Sequence, residues 1–508
     1  MSGEGGSERS GWPDGGGRSA EGADERARPK GMTVSFDGLD RTSSWEGVRA
    51  VVAGFGVSGF AAADTLTHLG ASVVALDESD NESMSEKATL LQILGADVRL
   101  GPGSTATLPP ADVVITSPGW RPSVPLLTQA VEAGVPIWGE VELAWRLRTT
   151  DDAPWLAVTG TNGKTTTVQM LDAMLRAAGK RSVAAGNVGK PIVEAVMDPE
   201  GFDVVAVELS SFQLHWTHTM SAQAAAVLNL APDHVDWHGS FDAYAADKGR
   251  IYENAQRACV YNVADPRTVE LVREASVVEG ARAIGFTVGV PSVGMLGVVD
   301  GVLADRAFVA ERQTAAAELG TVDDIAPDGE HNVANALGAA ALARAYGVPP
   351  AAVRDGLRGF QLDAHRVAEV ASVGNVRYID DSKATNTHAA QASIESYHNV
   401  VWVAGGLAKG ATFDDLVKAT ATRLRGVVLM GRDRDVIANA LRRHAPEIPI
   451  VVVESGDTEA MDRVVDAAAT MAQPGDTVLL APGCASMDMF ADYAARGDAF
   501  ADAVRRLE

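Results

Sequence analysis

The sequence predicts an α/β chain of three domains. From Val48 onward, short β-branched runs alternate with longer Ala/Leu-rich stretches, with Gly, Asp or Pro between them. Strands alternating with helices build parallel sheets from βαβ units. The chain has 508 residues, and at roughly 150 residues per domain this is a length for about three domains. Small or polar loops, several rich in glycine, follow strands in all three blocks, where the crevice of a doubly wound sheet lies.

Residues 1–45 are rich in Gly, Ser, Glu and Arg and hold almost no large apolar side chain. Such a segment buries too little surface to offset its ordering entropy, and a disordered tail is expected. It also lacks the apolar core of a signal peptide. The first block, 46–150, opens with the run Arg49–Ala53, the turn Gly54-Phe-Gly-Val-Ser-Gly59 and a helical stretch to Leu69. Strands are expected at Ala71–Leu76, Ala96–Leu100 and Val113–Thr116. The second block, 151–362, has strands at Trp155–Thr159, Phe202–Val207 and Ala224–Leu230, and helices at Val168–Ala178 and Asn332–Tyr346. The third block, 363–508, has strands at Val376–Ile379, Val400–Val403, Val427–Met430, Ile450–Val453 and Thr477–Leu480.

Composition excludes several classes. Lys and Arg number 43 against 67 Asp and Glu, a formal charge of −24, which is unsuited to neutralising a phosphate backbone, so no nucleic-acid partner is expected. Apolar runs such as Ala224–Leu230 fall far short of the ~18 residues of a membrane span. The two cysteines, Cys259 and Cys484, form neither a disulfide framework nor a zinc pattern, which fits a reducing cytoplasm. The chain is expected to act as a monomer.

The strongest motif is Thr159-Gly-Thr-Asn-Gly-Lys-Thr-Thr166, between a strand and a helix. Successive backbone N–H groups in such a loop face phosphate oxygens, and the helix N-terminus adds positive potential. Gly160, Thr161, Asn162 and Gly163 form the cradle. Lys164 can reach β- and γ-phosphates, and the Thr165 hydroxyl can reach Mg²⁺. The spacing departs from the usual phosphate loop: Val158 stands where its first glycine would be. A purely structural strand-to-helix turn is the competing reading. The middle domain is therefore expected to be of the P-loop ATPase type.

The turn Gly54/Gly56/Gly59, with Asp77 ending the next strand, looks like a dinucleotide fingerprint on a Rossmann-like domain. The same glycines could equally serve close helix–strand packing. Glu208 ends a strand and His234 follows another, so both are expected at the carboxyl edge near the phosphate loop. Glu208 suits Mg²⁺, which prefers oxygen, whereas Asp233 and Asp236 read as turn residues. By pattern alone, Lys248 reads as a solvated helix residue. In the third, Rossmann-like block, three loops end strands: Asp380-Asp-Ser-Lys-Ala-Thr-Asn386, Gly405-Gly-Leu-Ala-Lys409 and Ala481-Pro-Gly-Cys-Ala-Ser-Met-Asp488. Lys383 and Lys409 there could hold a carboxylate or a transferring phosphoryl group, or could simply be solvated.

With these residues laid out, residues 46–508 resemble the Mur ligase family, ATP-dependent amide-forming enzymes of bacterial cell-wall synthesis. The carriers are the phosphate loop, Glu208-Leu-Ser-Ser-Phe-Gln213, His331-Asn-Val-Ala-Asn-Ala336, His365-Arg366 and Asp381-Ser-Lys-Ala-Thr-Asn386. Leu480–Asp488 and Arg496-Gly-Asp-Ala-Phe500 complete them. The Asp-Ser-Lys-Ala-Thr-Asn loop and the Cys-Ala-Ser ending point to the branch that adds D-glutamate. The resemblance implies that ATP phosphorylates the L-alanyl carboxylate of UDP-N-acetylmuramoyl-L-alanine and that the amine of D-glutamate displaces phosphate. It implies ATP at Gly160–Thr166, Asn332, Asn335, Arg366 and Asp381, with His365 alongside. It implies two Mg²⁺ ions held by Thr165, Glu208, His234 and Lys248, the lysine as a carbamate.

The resemblance also implies that the first domain holds uridine diphosphate rather than a nicotinamide. Val57, Ser58, Asp77, Ser117-Pro-Gly119 and Asn187 match those positions, and Asp77-Glu-Ser79 stands where relatives often have a basic residue. D-Glutamate would meet Lys383, Thr385, Lys409, Ser486 and Tyr493, the last in place of a common Phe. Lys164, His234, Lys248, Lys383 and Lys409 are the implied catalytic set, and a hinge is expected at 359–364. The competing readings are a sister ligase such as a folylpolyglutamate synthase, a nicotinamide dehydrogenase read from Gly54–Gly59, and a non-catalytic binding module.

Overall fold

Three sheets carry the chain from the first predicted strand to the end. The computed structural model describes residues 35–327, 329–361, 367–454 and 460–507. The first sheet has five parallel strands in the order Asp97–Leu100, Ser72–Asp77, Arg49–Ala53, Val113–Thr116, Ile137–Gly139. The order turns back beside Arg49–Ala53, so the Gly54–Gly59 turn opens at the switch point, where a ligand crevice forms.

The middle sheet has nine strands. Trp155–Thr159 lies at its heart between Val204–Glu208 and Ala224–Val227, all parallel. Its five residues are buried, as expected for a strand covered on both faces. The stretch between Leu230 and helix Glu330–Tyr346, for which the sequence predicts no strand, adds Ala258–Asn262, Arg282–Phe286 and an antiparallel ribbon, Met295–Val299, Val302–Asp305 and Ala317–Thr321. The third sheet runs Ala368–Val373, Val376–Asp380, Thr477–Leu480, Val400–Gly405, Leu424–Met430, Ile450–Val452. All but its first pairing are parallel.

The fold class is as predicted, and most strand boundaries agree within three residues. Two helices begin earlier than expected. The phosphate-loop helix is Lys164–Ala177 rather than Val168–Ala178, and the later one is Glu330–Tyr346 rather than Asn332–Tyr346. Gly163, with φ +81°, is the N-cap of the first, so the helix begins inside the motif. Its rear packs on helix Pro350–Gly359. There a Cβ on Gly356 would stand 2.5 Å from the Met174 Cα.

The expected tail to residue 45 is too long. Trp45 is fully buried, its Nε1 donates to the Asp40 carbonyl, and Arg41 pairs with Asp152. The N–H groups of Arg41 and Trp45 also donate to the carbonyls of Leu147 and Leu69, so residues 41–45 are fastened to the first domain. Two glutamates of helix Glu140–Arg146 fasten the first sheet's layer to the second. Glu142 accepts from the N–H groups of His218 and Thr219 at 2.7 and 2.9 Å, and Glu140 accepts from Val193 N–H at 2.7 Å. Of the expected hinge at 359–364, residues 362–364 lie outside the described residues.

Candidate active site

The phosphate loop is held open by its neighbours. Asn162 N–H donates to Asn229 Oδ1 at 2.9 Å, and Asn229 Nδ2 donates back to the Asn162 carbonyl at 3.1 Å. Thr161 Oγ1 lies 3.0 Å from the Tyr244 hydroxyl. At Gly163 a Cβ would stand 2.1 Å from Asn335 Oδ1, so glycine lets helix Glu330–Tyr346 approach this closely. Lys164 folds over the loop, its Nζ donating to the carbonyls of Gly160 and Thr161 at 2.9 Å each. Asn335 Nδ2 donates to Asn332 Oδ1 at 3.3 Å. A cavity of about 510 Å³ is lined by Thr161–Thr166, Glu208, His234, Asn332, Asn335, Asp381, Lys383 and Thr385. These residues come from five separate stretches of sequence. Arg366, and His365 beside it, lie outside the described residues.

Glu208 is 1% exposed. One carboxylate oxygen accepts from Asn187 Nδ2 at 2.8 Å; the other is buried without a hydrogen-bond partner among the described residues. A buried, half-satisfied carboxylate at the wall of this cavity is the arrangement a hard cation completes. His234 is the N-cap of a short helix with φ +51°. Burial pushes it down to about 4 despite the opposing charge of Asp233, helped by Lys409, Lys164 and Lys248. It is therefore a neutral imidazole at ordinary pH, with a lone pair to offer. Among the described residues no group of three or more His, Cys, Asp or Glu side chains forms a metal site. A cation here would rely on these residues together with phosphate oxygens and water, as Mg²⁺ commonly does.

Lys248 corrects the pattern-based reading of a solvated residue. It is 2% exposed, and its Nζ donates to the Gly160 carbonyl at 2.9 Å and Thr159 Oγ1 at 3.3 Å. Burial first, and then the Lys164 charge, hold it well below the usual lysine range. Periodicity missed this because the helix Phe241–Gly249 is too short to show which face turns inward.

At the first sheet, Gly59 serves packing: a Cβ there would stand 1.9 Å from the Gly54 carbonyl oxygen. Gly56 faces open space and leaves its backbone accessible. Asp77 braces the turn, accepting from Phe55 N–H at 2.7 Å and Ser79 N–H at 2.9 Å. Glu78, in the place of a basic residue, braces the loop at Gly103 and Thr105; those bonds, the Thr105 hydroxyl first, hold its carboxyl below the usual range. Ser117 Oγ is buried without a partner among the described residues, and the Gly119 carbonyl accepts from Trp237 Nε1 at 3.3 Å. A second cavity, of about 540 Å³, includes Val57, Ser58, Pro118, Asn187 and Tyr493. Both cavities are lined by Thr165, Asn187 and Lys383.

In the third-sheet loops, Lys383 Nζ sits 3.7 Å from the centre of the Tyr493 ring. Lys409 is exposed with φ +50°, and Ser486 is buried.

Three family models match the chain along its length. They are a MurD-like Mur ligase N-terminal domain at residues 48–139, the Mur ligase middle domain at 158–343 and the Mur ligase glutamate ligase domain at 365–484. The chain belongs to the Mur ligase family. It is 60% identical over 466 residues to the UDP-N-acetylmuramoylalanine–D-glutamate ligase of Streptomyces avermitilis, covering 92% of this chain and 99% of that protein. It is 54% identical over 464 residues to the same-named protein of Thermobifida fusca, covering 91% and 99%. Among solved structures, the UDP-N-acetylmuramate–alanine ligase of Thermotoga maritima shares the fold at 19% identity. Its TM-score is 0.55, over 91% of this chain and 100% of that one. The MurF ligase of Thermotoga maritima in complex with ADP does so at 17% identity and TM-score 0.51, over 92% and 98%.

Some residues that shape the site of this Mur ligase carry little signal in the sequence. Asn386 Nδ2 donates to Asn162 Oδ1 at 3.1 Å, a direct bond between the phosphate loop and a third-sheet loop. Asn386 also caps helix Thr387–Glu395 by accepting from Ala389 N–H; the Asn-Thr start of that helix was the readable signal. Asn229 and Tyr244 support the loop from neighbouring elements. No local signal marks them, since each acts through a residue distant in sequence.

Proposed function

We propose that this chain uses ATP to join D-glutamate to UDP-N-acetylmuramoyl-L-alanine, in the making of a peptidoglycan precursor and hence in cell-wall growth and division. The observation that carries the reading is 60% identity along 92% of the chain to a relative of that name. The meeting of both cavities at Thr165, Asn187 and Lys383 supports it, because the carboxylate that accepts the phosphoryl group and the nucleotide that gives it must share one point.

In this reading the uridine-diphosphate end lies along Val57, Ser58, Asp77, Ser117 and Gly119, and Asn187 guides the L-alanyl carboxylate toward the phosphate loop. Gly160–Thr166 and the Lys164 ammonium hold the ATP phosphates, with Asn332, Asn335, Asp381 and Arg366 on the nucleoside. The carboxylate attacks the γ-phosphorus, ADP departs, and an acyl phosphate remains. Lys383, Thr385, Lys409, Ser486 and Tyr493 hold D-glutamate. Its amine attacks the acyl carbon, loses a proton, and inorganic phosphate leaves. Positioning and fixed charge supply most of the acceleration. Two Mg²⁺ ions, when bound, would neutralise phosphate charge. The half-satisfied Glu208, the neutral His234, the Thr165 hydroxyl and a carbamate on Lys248 are fit to hold them. A neutral amine is the form that adds CO₂, and burial supplies it at Lys248. Two buried, free cysteines fit a reducing cytoplasm as the place of work, and we place the protein there as a monomer.

The test is phosphate release with ATP, Mg²⁺, the uridine-linked precursor and a panel of amino acids. D-Glutamate alone should support turnover. Equal or better turnover with L-lysine or L-glutamate would move the chain to a sister activity.

A further inference from the structure

The Arg496-Gly-Asp-Ala-Phe500 stretch has no role in the reaction as set out above. Arg496 lies in helix Tyr493–Arg505 and is 1% exposed. A buried guanidinium is ordinarily paired with a carboxylate. Among the described residues Arg496 has no such ion pair; its donors go elsewhere. Nε donates to Ser382 Oγ at 2.9 Å, Nη2 to the Ser382 carbonyl at 2.8 Å, and Nη1 to the Cys484 carbonyl at 3.1 Å, with the Gly405 carbonyl at 3.5 Å. These acceptors belong to three loops that end three adjacent strands, Val376–Asp380, Thr477–Leu480 and Val400–Gly405. Ser382 Oγ in turn donates to the Tyr493 carbonyl at 2.7 Å.

We infer that Arg496 is the positioning residue that assembles the amino-acid pocket, an inference resting on the D-glutamate reading above. Every residue assigned to D-glutamate sits on one of the segments it ties together. Lys383 and Thr385 follow Ser382, Ser486 follows Cys484, Lys409 follows Gly405, and Tyr493 opens the helix of Arg496 itself. The loops are already at their closest approach: a Cβ on Gly406 would stand 2.1 Å from the Ala485 carbonyl oxygen. Buried carbonyls that converge in this way need donors. Only a planar fork with five N–H groups reaches several at once; a lysine ammonium donates from a single point. Burial pushes Arg496 down to about 10, against Cys484, Asp488 and Asp380, so it stays a full donor at neutral pH. The fork thus sets the distances among Lys383, Thr385, Lys409, Ser486 and Tyr493.

The experiment compares the full-length wild type with R496K, R496M and S382A in the phosphate-release assay. It is read with whichever amino acid the wild type accepts, so a wild type that refuses D-glutamate overturns the functional reading without removing this measurement. R496K should raise the KM for the amino acid by about tenfold or more, the equivalent of one lost hydrogen bond to a charged group. The KM values for ATP and the uridine-linked precursor should stay within about threefold of wild type, and ADP should still bind with wild-type affinity. S382A should raise the same KM by a smaller factor, and R496M by a larger one. A uniform fall in kcat with the amino-acid KM unchanged in R496K would show a merely structural arginine and overturn the inference. If the Arg496 variants do not fold, S382A decides: an unchanged amino-acid KM there overturns it.

Discussion

Glu140 is a carboxylate placed where its charge is costly. Burial raises it to about 7, against the backbone N–H groups of Val193 and Ile192, with Glu194 adding to the rise. Its second oxygen is buried with no partner among the described residues. Because the folded pKa lies above the unfolded one, the folded state binds more protons between about pH 4.5 and 7. Stability from this group is full below that window and lost as pH rises through it. Glu140→Gln keeps an acceptor for Val193 and removes the charge. Its urea midpoint should match or exceed wild type at pH 8.5 and fall relative to wild type toward pH 5; a pH-independent difference would count against the assignment. Lys164→Ala should lower phosphate release by roughly a hundredfold or more, since charge opposite a transferring phosphoryl group is among the largest catalytic terms. Turnover within a few-fold of wild type would remove Lys164 from the site. Lys248→Ala should lose most activity and regain part of it with a small carboxylic acid in the buffer, standing in for the carbamate. Near-normal activity without the acid would leave Lys248 a buried structural lysine.

At the scale of elements, the phosphate loop depends on the helices behind it. Gly356 lets helix Pro350–Gly359 lie against the backbone of helix Lys164–Ala177, with a Cβ there only 2.5 Å from Met174 Cα. Backbone atoms cannot move aside as a flexible side chain can. Gly356→Ala should therefore destabilise the protein by about 1–3 kcal/mol, the usual cost of overpacking. A lowered urea midpoint with an unchanged slope would show it. Gly56, which faces open space, is the matched control and should tolerate alanine with little loss of stability.

At the scale of the whole molecule, the Asn386–Asn162 bond joins the loop that would hold ATP to the loop that would hold D-glutamate. In the proposed reaction amine and acyl phosphate must meet, and this contact would hold the two loops together for that meeting. Asn386→Ala should weaken closure by about 1 kcal/mol. In hydrogen exchange with nucleotide bound, protection should fall at 160–166 and 381–386 together and stay unchanged at 54–59. Loss at only one of the two loops would mean that they are not coupled.

The sequence by itself determined the three α/β blocks, the phosphate loop and the ends of most strands. Buried parallel strands are continuous apolar runs, and glycines mark the turns, so both are written locally. Trp45 was the exception within a polar segment. The ribbon Met295–Thr321 is not legible in the sequence because its strands are only four or five residues long. Only the tertiary structure decided that Lys248 is buried, that Asp77 and Glu78 are taken up by backbone N–H groups of neighbouring loops, and that Arg496 faces three loop ends rather than solvent. Each of these depends on which carbonyls and N–H groups converge from distant stretches of chain. Residue spacing carries no record of that convergence, because it is fixed only when the sheets pack and every buried polar group must find a partner.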